Sequence, residues 1–250
     1  MRSAVWAGLA LLFLTARPPE SSESRQERAG TPRELVVLVH GMGRTACSMA
    51  PVRRALEAAG YEVLNHGYHS RRMTVVEAGS ELAAAVATVS LRPEVTRVHF
   101  VGHSLGNIVI RWVLANAPPA RLGRVVMLAP PNQGARLADR FAGWLSWLSQ
   151  PLPDLTTASG SAARTLVTPA GVEIGVIAGS YDRTVRLEET FLAGQKERAV
   201  VPCGHTFIMR KTRVHQLAVR FLRDGTFGEA IAPPAPQPVR PELVSGAEPI

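Results

Sequence analysis

Residues 97–116 read RVHFVGHSLGNIVIRWVLAN, and this stretch decides the fold. Its first six residues, RVHFVG, are typical of a buried strand, and LGNIVIRWVLA has the apolar spacing of a helix. Between them, residues 102–106 (GHSLG) match the pattern G-x-S-x-G. A sharp strand-to-helix turn exposes a serine at the edge of a sheet, and flanking glycines remove side chains that would clash there. The stretch therefore predicts a nucleophile at Ser104, with Gly102 and Gly106 as elbow glycines; a plain turn with a capping serine is the alternative.

The same alternation of strand and helix extends in both directions along the chain. Further strands are predicted from apolar runs at residues 34–40, 62–68, 124–129, 172–178 and 199–201. Further helices are predicted at residues 47–59, 75–91 and 210–222. Such alternation implies parallel strands joined by right-handed crossovers. We therefore predict an α/β fold, with a doubly wound, mostly parallel sheet of about six strands and helices on both faces.

Composition narrows the class of protein. The chain has 250 residues, of which 46% are hydrophobic and 19% charged, and this excludes a largely disordered chain. The net charge is +8, but the basic residues are scattered with few aromatic residues among them, so no nucleic-acid partner is predicted. Two cysteines without a Cys-x-x-Cys pair predict neither a disulfide scaffold nor a metal site. No apolar run is long enough for an ordinary membrane span.

The two ends of the chain differ from the predicted domain at residues 34–227. Residues 1–16 combine Arg2 with a 14-residue apolar stretch, which predicts a signal peptide or an N-terminal anchor. Residues 17–33 read as a polar linker, which argues against a buried first helix. Residues 228–250 are rich in proline and predict a disordered tail. The expected location is therefore the periplasm or the medium, or the membrane if the first segment is not cleaved.

The loop after the first strand, residues 40–43 (HGMG), is a candidate for binding the negative charge that develops on a substrate oxygen. Acyl transfer from a carbonyl needs backbone N–H groups that bind the developing oxyanion. One donor is the residue after the nucleophile, Leu105, and the other is predicted at Met42, where neighbouring glycines let the backbone approach. His40 is interpreted as a structural residue of this loop. A tight turn is the alternative for the whole segment.

A serine nucleophile also needs a base and an acid that orients the base. In a strand–serine–helix arrangement of this kind they follow in the order serine, acid, histidine. His205 lies in a loop after the last predicted strand, whereas the other histidines precede Ser104, belong to the motif loops or lie in the last helix. Asp182 directly follows a predicted strand, and Asp154 in a proline-rich loop is a weaker rival. A simple turn residue is the alternative for Asp182.

These motifs together resemble the α/β-hydrolase superfamily, and more narrowly its small bacterial lipase and esterase group. The resemblance extends over residues 34–227 and includes MLAPPNQG at 127–134 and HTFIM at 205–209. It implies the α/β-hydrolase fold and a catalytic triad of Ser104, Asp182 and His205, with an oxyanion hole from Met42 and Leu105. Asn107 and Arg183 stand where glycines are common in that group.

The resemblance implies a serine hydrolase that cleaves carboxylic esters, lipid-like ones in particular, through an acyl-enzyme on Ser104. A small-molecule or lipid ester is the expected partner, with association to a membrane surface as an option. No metal and no organic cofactor is required. An acyltransferase or amidase with the same triad, or a non-catalytic lipid-binding module, are the alternatives.

Two further features lie near the predicted site. Residues 133–170 form a possible lid or cap, in which Phe141, Trp144, Leu145 and Leu148 would contact substrate; an ordinary covering helix is the alternative. Cys47 and Cys203 lie on loops at the same predicted edge of the sheet, either bridged or as two free thiols.

Overall fold

Six strands form one sheet in the computed structural model, which describes residues 33–145 and 149–228, with only the backbone at Trp144 and Leu145. The strands are β1 (Arg33–Val39), β2 (Glu62–His66), β3 (Val95–His103), β4 (Leu122–Leu128), β5 (Ile174–Gly179) and β6 (Glu197–Val201). The helices are α1 (Ala50–Ala58), α2 (Val75–Ser90), α3 (Leu105–Asn116), α4 (Arg136–Leu145), α5 (Ala162–Thr165) and α6 (Thr212–Asp224). Short 3-10 turns lie at Ala46–Met49, Pro153–Leu155, Glu188–Thr190 and Ile208–Arg210.

The strand order is β2-β1-β3-β4-β5-β6, and every neighbouring pair is parallel. The chain leaves β1 towards β2 on one side and leaves β3 towards β4 on the other. A crevice therefore opens between the carboxyl ends of β1 and β3, where open α/β sheets bind their ligands. The predicted doubly wound parallel sheet is confirmed.

The two faces of the sheet are covered by different helices. Leu35, Val37 and Val39 of β1 belong to a core shared with α2 and α3. The alternating residues Val36 and Leu38 belong to a second core shared with α1 and α6. Because successive side chains of a strand point to opposite faces, a strand covered on both sides is apolar throughout. This explains the uninterrupted apolar run that predicts β1.

The predicted helix at 47–59 is divided in two. A 3-10 turn, Ala46–Met49, precedes α1, and Pro51 lies in the first turn of α1. Gly60 ends the helix with a left-handed φ of 93°, while the N–H of Tyr61 donates to the Leu56 carbonyl at 3.1 Å. This is the Schellman arrangement that a glycine at this position favours.

The other predicted strands and helices differ from the observed ones by at most two residues at an end. At the candidate nucleophile, β3 continues one residue beyond the predicted strand, to His103, which pairs with Leu128 of β4. Among the described residues, no helix is long and apolar enough to cross a lipid bilayer. Apart from Arg33 and Gly228, the predicted signal, linker and tail segments lie outside the described residues and stay predictions.

Candidate active site

The turn between β3 and α3 holds Ser104 in an unusual backbone conformation. Its φ is 52° and its ψ is −124°, a region that side-chain-bearing residues seldom occupy and that costs about 1–3 kcal/mol. The N–H of Ser104 donates to the Leu128 carbonyl at 3.0 Å. The Asn107 amide donates to the carbonyls of Ser104 and Leu128, both at 3.1 Å. Asn107 stands where the bacterial lipase and esterase group often has glycine, and its two hydrogen bonds stabilise the turn.

Glycines around this turn permit three close approaches. A Cβ on Gly102 would lie 2.4 Å from the Asn107 side-chain oxygen, and one on Gly106 would lie 2.3 Å from the Val39 carbonyl oxygen. A Cβ on Gly41 would lie 3.1 Å from the Ser104 Cβ. The loop after β1 is therefore packed directly against the serine, across the crevice between β1 and β3.

Three loops at the carboxyl edge of the sheet join in a chain of hydrogen bonds. The Ser104 Oγ lies 2.9 Å from the His205 Nε2, and the His205 Nδ1 lies 2.7 Å from the Asp182 Oδ2. A carboxylate only accepts hydrogen bonds, so the Nδ1 of His205 carries the proton and the unprotonated Nε2 accepts from the serine hydroxyl. These loops follow β3, β5 and β6, as the chain order predicts.

The carboxylate of Asp182 is held in place from its other side. Its side chain is fully buried, and its Oδ1 accepts the backbone N–H groups of Thr184 at 2.8 Å and Val185 at 2.9 Å. Both oxygens are therefore committed, one to the backbone and one to the imidazole. The His205 side chain is 11% exposed, so its ring has a narrow opening to the solvent.

The two predicted oxyanion donors lie on the loop after β1 and at the start of α3. Leu105 is the first residue of α3, so its N–H has no acceptor within the helix. Met42 is half-buried, and its sulfur accepts a hydrogen bond from the Ser149 hydroxyl at 2.9 Å. Tyr68 fixes the loop, because its hydroxyl donates to the His40 carbonyl at 2.8 Å and its ring stacks on the His40 ring at 4.5 Å.

His40 itself is buried under Tyr68, and burial lowers the pKa of its imidazole. Its Nε2 accepts the Tyr68 N–H at 3.4 Å, so its Nδ1 carries the proton and donates to the Gly41 carbonyl at 3.0 Å. Both ring nitrogens therefore hold the loop, in agreement with the structural role predicted for His40.

His103 has a contact that sequence reasoning missed. Its Nε2 lies 3.1 Å from the backbone carbonyl of His205, and the two rings are 5.0 Å apart. Burial lowers the pKa of His103 to about 3, so the ring is neutral and its Nε2–H donates to that carbonyl. The residue therefore ties the loop of the candidate base to the turn of the candidate nucleophile. No signal in the sequence could reveal this, because the motif treats position 103 as variable.

The predicted lid segment is anchored to α3 by a buried arginine. The Arg111 guanidinium donates to the carbonyls of Ala163 at 2.9 Å and of Leu166. Burial lowers the pKa of Arg111 to about 10, which leaves the group charged at neutral pH. Phe141 of α4 packs at the edge of the first core. The side chains of Trp144 and Leu145, and all of Leu148, lie outside the described residues, so contact with substrate stays a prediction.

Both cysteines are free thiols, which is one of the two arrangements that the sequence left open. Cys47 is exposed in the turn after the first loop, whereas Cys203 is buried. Burial raises the pKa of Cys203. In residues 33–145 and 149–228, no cluster of three or more histidine, cysteine or acidic side chains could hold a metal ion.

Solved structures with the same fold include several bacterial proteins. The mature lipase BlEst2 of Bacillus licheniformis gives a TM-score of 0.55 at 17% identity, over 72% of this chain and 87% of the lipase. A putative thioesterase from Silicibacter sp. TM1040 gives 0.59 at 18% identity, over 74% and 73% of the two chains. An extracellular α/β-hydrolase from a Paenibacillus species gives 0.55 at 18% identity, over 77% of this chain and all (100%) of that one. Identities this low show the fold alone.

Comparisons at the level of sequence give one family. No curated protein matches the chain. The family described as serine aminopeptidase, S33 (Hydrolase_4) matches residues 30–169, which is more than half of the chain. The match includes Met42 and Ser104 and ends before Asp182 and His205. Together with the six-stranded parallel sheet and its strand–serine–helix turn, this match shows that the chain belongs to the Hydrolase_4 family of the α/β-hydrolase superfamily.

Proposed function

We propose that the protein is a serine hydrolase that cleaves carboxylic esters with lipid-like acyl groups through an acyl-enzyme on Ser104. The observation that supports this best is the hydrogen-bond chain of 2.9 Å and 2.7 Å from Ser104 through His205 to Asp182. Such a chain, with a buried carboxylate at its end, is the arrangement that activates a serine hydroxyl.

In the first half of the proposed reaction, the Ser104 Oγ attacks the ester carbonyl while the His205 Nε2 takes the hydroxyl proton. The new C–O bond turns the carbonyl oxygen into an oxyanion, which the N–H groups of Met42 and Leu105 bind. Asp182 keeps the Nδ1 proton of His205 in place and stabilises the imidazolium. The imidazolium then protonates the leaving alcohol as its C–O bond breaks, and the acyl-enzyme remains.

In the second half, water takes the place of the alcohol. His205 removes a proton from the water as its oxygen attacks the acyl carbon. The second tetrahedral intermediate uses the same two N–H donors, and its collapse returns the proton to the Ser104 Oγ. The products are a carboxylic acid and an alcohol, and the enzyme is regenerated with no metal or organic cofactor in the scheme.

The lipid-like acyl group is inferred from the apolar residues of the segment 133–170. Phe141 and Met42 both pack against the first hydrophobic core, and both therefore contribute apolar surface. The proposed contacts of Trp144, Leu145 and Leu148 would extend this surface. The same apolar edge would allow association with a membrane surface.

An ester panel of increasing acyl length, assayed with the purified protein, tests this function. Wild type should hydrolyse these esters, and Ser104→Ala should remove turnover and labelling by a fluorophosphonate while the thermal melt stays nearly unchanged. The matched control is Ser80→Ala, which should keep full activity. Ser80 is exposed on α2, and its hydroxyl donates to the Val76 carbonyl. Near-wild-type turnover by Ser104→Ala would refute the proposal.

Amide cleavage is the second candidate, because the matching family is described as a serine aminopeptidase. The same three residues could transfer an acyl group from an amine instead of an alcohol, with His205 protonating the leaving nitrogen. Aminoacyl 4-nitroanilides assayed beside esters of the same acyl group distinguish the two. A higher kcat/KM for the anilide would favour the peptidase.

We also propose that the protein is exported, on the basis of the apolar segment at residues 1–16. N-terminal sequencing of the mature protein and cell fractionation test this. A mature N-terminus near Arg17, or a membrane-held full-length chain, is expected. A soluble cytoplasmic protein that keeps Met1 would refute export.

A further inference from the structure

Two arginines lie at the edge of the candidate site, and we call them the arginine rim: Arg44 and Arg71. Arg44 follows the first loop, and its Nη2 lies 3.5 Å from the backbone carbonyl of Thr206, the residue after His205. Arg71 lies over the same loop, because a Cβ on Gly43 would be 3.0 Å from its Nε and Nη2. One guanidinium is thus next to the loop of the base, and the other is next to the predicted oxyanion donor.

The reach of the chain places the arginine rim close to the nucleophile. Gly41 touches Ser104, and two Cα–Cα steps of about 3.8 Å separate Gly41 from Gly43, beside which the Arg71 guanidinium lies. These steps place the guanidinium of Arg71 at most about 17 Å from the Ser104 side chain.

The arginine rim has no acidic partner among the described residues. Some other surface arginines are paired with an acid, for example Arg53 with Glu57 at 2.6 Å and Arg92 with Glu62 at 2.7 Å. Neither rim arginine forms an ion pair in the described ranges. A guanidinium has five N–H donors, so most of those on Arg44 remain available beyond its bond to Thr206.

Arg44 is also held in position. Its guanidinium stacks over the Phe207 ring at 5.6 Å, and Arg210 lies on the same ring at 5.5 Å. Cation–π contacts and the Thr206 carbonyl restrict the guanidinium to the side of the His205 loop. A pre-positioned guanidinium loses less side-chain freedom when it binds an anion in a two-point contact.

We propose that the ester substrate carries an anionic group, a carboxylate or a phosphate, which Arg44 and Arg71 bind while the ester lies at Ser104. This inference rests on the proposed function of Ser104, and it specifies the charge of the substrate in that reaction. An anion at the arginine rim pairs with two guanidiniums that have no carboxylate of their own in the described residues. The positive edge would also draw anionic esters to the site from solution.

Two matched substrate pairs test this inference, one for each side of the ester. The 4-nitrophenyl monoester of adipic acid and its methyl-capped derivative differ by an anion on the acyl side. Butyrylglycerol phosphate and butyrylglycerol differ by an anion on the alcohol side. We expect the charged member of at least one pair to have a kcat/KM about tenfold higher, and added salt to reduce that preference.

The variants Arg44→Gln and Arg71→Gln assign the effect to the arginine rim. Each should lower kcat/KM for the preferred charged ester by about tenfold, as loss of a charge-assisted hydrogen bond does, and should leave the neutral partner within about twofold. Arg54→Gln is the matched control, because Arg54 is exposed on α1, and it should keep the full preference. Equal use of charged and neutral members in both pairs would overturn the inference.

The failure of this inference can be told apart from failure of the proposed function. Turnover of the neutral esters that depends on Ser104, without any preference for charge, overturns only the role of the arginine rim. If no ester is turned over, the binding of a charged ester to Ser104→Ala is measured by calorimetry. Weaker binding when Arg44→Gln is added to that variant supports the role of the arginine rim. Absence of that binding overturns it.

Discussion

At the scale of single residues, Asp182 gives the sharpest test of the hydrogen-bond chain. In Asp182→Asn the amide oxygen can still accept the N–H groups of Thr184 and Val185, so the amide nitrogen faces His205. That nitrogen is a donor, and it forces the imidazole to present an unprotonated Nδ1 and a protonated Nε2. We expect kcat to fall by about 10³–10⁴ with little change in the melting temperature.

Asp154→Asn is the matched control, because Asp154 was the rival acid in the sequence. Its Oδ2 accepts the Val75 N–H at 3.3 Å, at the start of α2. Steady-state kinetics on one ester should show full activity for this variant. A harmless Asp182→Asn together with an inactive Asp154→Asn would mean that Asp154 is the acid.

At the scale of elements, the site depends on how closely α3 approaches β1. A Cβ at Gly106 would lie 2.3 Å from the Val39 carbonyl oxygen and 2.7 Å from that of His40. Both are backbone atoms that cannot rotate away, so Gly106→Ala must push the start of α3 from the strand. We expect the free energy of unfolding to fall by about 1–3 kcal/mol and turnover to fall with it, since Leu105 moves too.

Gly143→Ala supplies the comparison within another helix. Gly143 is exposed on α4 and a Cβ there would meet nothing within 4 Å. Alanine at such a position should leave stability unchanged or raise it by up to about 1 kcal/mol. Equal unfolding free energies for the two variants in urea would show that the approach of α3 to β1 is not tight.

At the scale of the whole molecule, four buried histidines make stability depend on pH. Burial lowers the pKa of His40, His66, His99 and His103 below the ordinary value of 6.5. The unfolded chain therefore binds more protons than the folded chain once the pH falls below about 6.5. The free energy of unfolding should then decrease as the pH falls from 6.5, and for His103 this continues towards a pH of about 3.

Urea unfolding at pH 7.5, 6.5 and 5.5 measures this dependence. Each extra proton taken up on unfolding lowers the free energy of unfolding by about 1.4 kcal/mol per pH unit. His103→Gln should make the dependence less steep by up to that amount, and His69→Gln, at an exposed position, is its matched control. A free energy of unfolding that stays constant from pH 6.5 to 5.5 would contradict the prediction.

Local patterns in the sequence were sufficient to predict the parallel sheet and to name the candidate site residues. An apolar run followed by G-x-S-x-G and an amphipathic stretch predicts a strand, a tight turn and a helix, because glycine and side-chain periodicity act within a few residues. The order of Ser104, Asp182 and His205 along the chain then selected the candidate acid and the candidate base among their rivals. Their hydrogen-bond chain has the geometry that this selection requires.

Only the tertiary structure decided which distant groups meet around that chain. His103 donates to the carbonyl of His205, 102 positions away, and Arg44 reaches Thr206, 162 positions away. Asn107, which as a sequence feature was only a departure from glycine, braces the Ser104 turn. Such contacts depend on strand order and register, which bring the loops after β1, β3 and β6 to one edge of the sheet. The neighbours of a residue in the sequence carry no information about these long-range contacts. Burial and hydrogen-bond partners are decided only when the strands pair.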